Sequence, residues 1–119
     1  MIRVIHIKDA GKYPGIDVYI GRAHRLYAAG PLRNPFPMTS ERDRYKVIEK
    51  FSNWLKLHLS SPHPNELKTA MNTLFQQAQK QDINLMCWCS PKACHGTIIQ
   101  QTLNQALLRH KKGLKLVVL

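Results

Sequence analysis

Acidic residues are scarce in this chain. Seven Asp and Glu stand against eighteen Lys and Arg, a formal net charge of +11 over 119 residues and a pI near 10. So one-sided a balance points to a partner that carries phosphate, free or in a polymer, ahead of charge kept for solubility alone. Long apolar runs are missing too, which excludes a bilayer-crossing helix and predicts no membrane partner. Met1 to Ile7 is too short an apolar stretch for a secretory signal. Cysteine is limited to three, an odd number that argues against a disulfide framework. The expectation is a reducing, cytoplasmic setting with free or metal-bound thiols. Internal repeats, low-complexity segments and an inner boundary are all absent, so residues 1–119 read as one domain.

All three cysteines fall in one stretch, Cys87-Trp88-Cys89-Ser90-Pro91-Lys92-Ala93-Cys94-His95-Gly96. The apolar run Ile83 to Trp88 before it reads as a buried strand. Ile98, Ile99, Leu103, Ala106 and Leu107 after it recur at helical spacing. The stretch therefore reads as strand, tight turn, helix, with Ser90 as cap and Pro91 at the first helical position. Cys87 and Cys89, two apart on a strand, share a face, and Trp88 between them faces away into the core. Free amides and the positive helix end suit an anion, and Gly96 would let a ligand approach the backbone.

Three chemistries compete for the cluster. A thiolate at Cys89 or Cys94, lowered by the helix end and Lys92, would be a nucleophile with His95 as its acid/base partner. Cys87, Cys89, Cys94 and His95 would alternatively form a Cys₃His zinc site, although the Cys-x-Cys spacing is unusual for one. In the third reading the cysteines are small buried hydrophobes.

The rest of the chain reads as an α/β fold. Ile2 to Ile7 and Ile16 to Ile20 are strands, and the short link between them predicts an antiparallel hairpin. Ala23 to Met38, with Gly30 and three prolines, is a long irregular loop. Ser40 caps a helix with the apolar stripe Val47, Ile48, Phe51, Trp54, Leu55 and Leu59, and basic residues cover its other faces. A second helix carries Leu67, Ala70, Met71, Leu74 and Ala78, and the last helix stops near Gly113. Leu114 to Leu119 completes a small mixed, partly parallel sheet of about four strands flanked by helices. The second and third strands are joined by two helices, a link long enough for parallel pairing. Their carboxyl ends would then share one edge of the sheet, bringing Gly21-Arg22 opposite Cys87 and Cys89, the usual ligand crevice of such sheets. Arg22 would clamp an anion there, and Asp17 is either a ligand contact or a turn residue.

Asp17-Val18-Tyr19-Ile20-Gly21-Arg22, Asn34-Pro35-Phe36 and Cys87-Trp88-Cys89…Cys94-His95-Gly96, in this order, resemble a family of small phage and bacterial proteins grouped as a domain of unknown function. The resemblance covers most of the chain. It implies a common pocket built from Arg22, Asn34, Cys87, Cys89, Cys94 and His95, and it implies no reaction. Ala23 to Arg33 is longer here than in the family, and Leu32-Arg33 precede Asn34. The Cys…Cys-His turn also looks like the turn of a second uncharacterised α/β family.

The leading expectation is a protein binding a phosphate-bearing ligand, a nucleotide or nucleoside derivative, with thiolate chemistry and no cofactor. The alternatives are a non-enzymatic nucleic-acid-binding protein whose Cys/His turn holds zinc or merely packs, and a phage-encoded interaction protein.

Overall fold

The computed structural model describes residues 1–113. Three strands form one sheet: β1 (Ile2–His6), β2 (Ile16–Tyr19) and β3 (Ile83–Cys87), in the order β1-β3-β2. Both pairings are parallel, with Ile2 and Ile16 each opposite Ile83. Two helices, α1 (Arg44–Ser60) and α2 (Glu66–Ala78), lie between β2 and β3, and a third, α3 (His95–Lys111), follows β3. The expected strand over Leu114 to Leu119 lies outside the described residues.

Every residue of β3 is buried, because the strand is central and covered on both faces. Ile83, Leu85 and Cys87 point into one core with Phe51 and Leu55 of α1, Met71 and Leu74 of α2, and Ile99 and Leu103 of α3. The three helices also touch one another and so share that side of the sheet. Each such side chain removed from water contributes about 1.5–3 kcal/mol. Asn84 and Met86, also buried, alternate with these residues and face the opposite way.

Residues 7–15 cross that second face, and here the expected hairpin is corrected. The link is too short for a helix, yet it does not turn back on β1. It makes a 3-10 turn at Ile7–Asp9 and two bends at Gly11 and Gly15, both at positive φ, and reaches the amino end of β2 on the far side of β3. Polar bonds replace a helix as its anchor. Asn84 donates to the Pro14 carbonyl (3.2 Å) and to Asp17 (2.9 Å), and Arg3 donates to Asn84 (3.2 Å) and Asp82 (3.1 Å).

Helix starts differ from the expected ones in detail. A 3-10 turn at Glu41–Asp43 precedes α1, and Ser40 bonds the Asp43 carboxylate rather than a backbone amide. Pro91 is not the first helical residue of α3. Cys94 caps that helix, its sulfur accepting the Gly96 N–H at 3.3 Å, while Ser90 donates to the Val4 carbonyl. The stop near Gly113 stands as read, with φ +72 there.

Candidate functional site

Parallel pairing of β2 with β3 puts the ends of both strands on one edge of the sheet. There, a cavity of about 240 Å³ opens between that edge, the start of α1 and the start of α3. Gly21, Arg22, Asn34 and Phe36 form one wall. Arg44, Val47 and Ile48 form a second, and Cys87, Trp88, Cys89, Ala93, Cys94 and His95 form the third. Sulfur, imidazole and guanidinium from distant parts of the chain thus meet at one opening.

The three sulfurs are unequal. Cys94 Sγ lies 3.3 Å from Cys87 Sγ, both buried, and all three thiols are free. Hydrogen bonding to Cys87 and then Cys89, together with burial, pushes the Cys94 thiol far up, so it keeps its proton and donates it. Cys89 is held down to about 5, first by the hydrogen bond from Cys94 and then, against partial burial, by the Arg44 guanidinium. Cys87 is lowered to about 7, chiefly by Cys94, but the neighbouring Cys89 charge opposes its ionisation. One proton and one cation therefore put the negative charge on Cys89, which is also the most exposed of the three.

Arg44 is the residue that sequence reading misses, where it is one of the basic residues on the other faces of α1. Only 9% exposed, it donates to Glu41 through Nε and a terminal nitrogen (3.0 and 2.8 Å) and to the Ala93 carbonyl (2.7 Å). Its guanidinium ties the end of the Cys89–Ala93 loop to α1. Glu41 answers by falling to about 2, principally through its hydrogen bond with Arg44. A signal was present: a cation in the first turn of a helix opposes the macrodipole and calls for a partner.

His95 is buried, with Nε2 2.7 Å from the Ile20 carbonyl. Burial lowers its pKa more than the Ile20 and Leu32 carbonyls raise it, so the ring is neutral and donates to Ile20. It fastens α3 to the end of β2, and Phe51 packs on its ring at 4.9 Å. Arg22 donates to the Asn34 carbonyl (3.3 Å) and the Phe36 carbonyl (2.9 Å) and makes no ion pair among the described residues. Asn34 accepts the Phe36 N–H with its side chain at 2.9 Å, which shapes this wall.

Three expected positions differ. Asp17 is not in the cavity wall; it accepts from the Gly11 amide (2.8 Å) and from Asn84. Gly96 is buried and takes no part in the wall. A Cβ there would lie 2.9 Å from Ile20 and 3.1 Å from Val4, so its missing side chain lets α3 approach the sheet. Trp88 is not core: it is 48% exposed at the mouth of the cavity, because the strand pleat ends at Cys87. As for zinc, no group of three or more Cys, His, Asp or Glu among the described residues is arranged to hold a metal ion.

The chain is thus an α/β domain with a parallel sheet and a cavity of thiols and arginines at its carboxyl edge. It belongs to the DUF4326 family, a domain of unknown function, whose profile matches residues 5–105. Searches of curated proteins and of solved structures each find no match. No helix among the described residues is long and apolar enough to cross a membrane.

Proposed function

We propose that the cavity binds a phosphate-bearing ligand, a nucleotide or nucleoside derivative, and presents Cys89 to it as a thiolate. The observation that carries this reading is the position of Cys89 beside Arg44 in a cavity also lined by Arg22, which makes no ion pair among the described residues. Arg22, fixed by two loop carbonyls, offers its remaining donors in the fork that suits phosphate. The amino end of α3 adds its dipole to the same region, and the surplus of positive charge draws anions to the surface. The role expected of His95 passes elsewhere: its Nε2–H is committed to Ile20, so it positions α3, while Cys94 and, after it, Arg44 sustain the thiolate. Cys94 serves as proton donor to its neighbours and as helix cap rather than as nucleophile.

Alkylation by iodoacetamide, mapped by peptide mass spectrometry, tests the reading. Cys89 should react ahead of Cys87 and Cys94 at pH 6, and a nucleoside monophosphate or inorganic phosphate should protect it. Arg22→Gln should weaken that protection about tenfold, the loss of one good charged hydrogen-bond pair. Equal labelling of all three thiols, or no protection by any phosphate compound, would refute it.

A further inference from the structure

Trp88 is exposed without being loose. Its Nε1–H donates to the Tyr19 hydroxyl at 3.2 Å, and that hydroxyl donates to the Arg22 carbonyl at 2.6 Å. The imidazoles of His24 (ring centroids 4.6 Å apart, 61°) and His6 (5.8 Å, 87°) stand edgewise to the indole. Tyr27 stacks on Tyr19 at 4.7 Å and braces the group from behind. Three segments of the chain thus converge to orient one tryptophan whose surface is half in water. Packing alone gives no reason for this, since an indole this size gains most when buried. The same indole lines the cavity that holds Arg22 and Cys89.

We propose that Trp88 is a stacking platform for the base of the ligand, so that the site recognises a nucleobase and its attached phosphate together. The inference rests on the reading of the cavity as a phosphate site. A planar base suits a fixed indole face because every base has a π surface, and a pre-oriented ring loses little freedom on binding. The basic surroundings complement the phosphate end, while the indole and its imidazole neighbours meet the base. Ligand chemistry of this kind comes from two sources, a free nucleotide or a nucleotide unit at the end of a single strand.

Trp54→Phe leaves Trp88 as the sole indole fluorophore. In that background we expect adenosine monophosphate to quench the emission and to bind about tenfold more tightly than ribose 5-phosphate. Trp88→Ala should bring the nucleotide down to the affinity of ribose 5-phosphate, read by protection of Cys89 from alkylation, and leave ribose 5-phosphate itself unchanged. Trp88→Phe should restore part of the difference. A 5′-phosphorylated oligonucleotide binding more tightly than the mononucleotide would identify a strand end as the source, and the reverse order a free nucleotide. Equal binding of the two phosphates with no change in emission would overturn the platform while leaving the phosphate site standing. Failure of both to protect Cys89 would overturn the two together.

Discussion

Arg44 occupies a position where a cation faces the positive end of its own helix, and it is held there by Glu41 and the Ala93 carbonyl. Arg44→Met removes the cation that helps keep Cys89 ionised. The pH midpoint of Cys89 alkylation, expected near 5 in the native protein, should move up by about one unit, so that the rate falls about twofold at pH 6 and toward tenfold only below pH 5. An unchanged midpoint would show that Cys94 alone sustains the thiolate. His95 titrates in a related sense. Burial lowers its pKa below the ordinary 6.5, so the unfolded chain binds this proton first. Its stabilising contribution is present above pH 6.5 and is lost as pH falls. Cys89, also depressed, acts in the same direction between 9 and 5. The thermal midpoint should therefore drop between pH 7 and pH 5, and His95→Gln should flatten that slope. A midpoint that rises on acidification would contradict both assignments.

At the scale of elements, the turn from β3 into α3 depends on Cys94 as cap. Cys94→Ser keeps an acceptor for the Gly96 amide and should leave stability nearly unchanged, whereas Cys94→Ala should cost about 1 kcal/mol in urea titration. The link between β1 and β2 depends on Gly15. At φ +100, a Cβ there would lie 2.1 Å from the Asp82 carbonyl oxygen, which is backbone and cannot yield. Gly15→Ala should destabilise by more than about 2 kcal/mol. That carbonyl also accepts the Ile16 amide, so the loss should shift β2 amides toward fast exchange. These elements show what could be read in advance. The helices were legible because Phe51, Leu55, Met71, Leu74, Ile99 and Leu103 recur at the helical period. Parallel pairing of β2 and β3 followed from the length of their two-helix connection. The β1–β2 link was misread because a crossing without a helix leaves no periodic trace; its anchors, Asn84 to Pro14 and Asp17, join residues about seventy apart in the chain. Trp88 was misplaced for a local reason, since alternation holds only as far as the pleat runs. Arg44 escaped because the contact that draws it to the site, the Ala93 carbonyl, lies on a loop that helix periodicity does not reach.

At the scale of the whole molecule, β1 and β2 each pair with β3 and not with one another among the described residues, which makes the β3 amides the slowest expected there in hydrogen exchange. The order of synthesis makes this arrangement consequential. β1 and β2 leave the ribosome with nothing to pair with, and their shared partner arrives only after both intervening helices have been made. A nascent chain halted before Ile83 holds two orphan ribbons and an uncovered helical pair, the kind of surface that chaperones bind. Assembly of this sheet is thus a late step, timed by the emergence of the five residues of β3, and the core closes only when α3 follows.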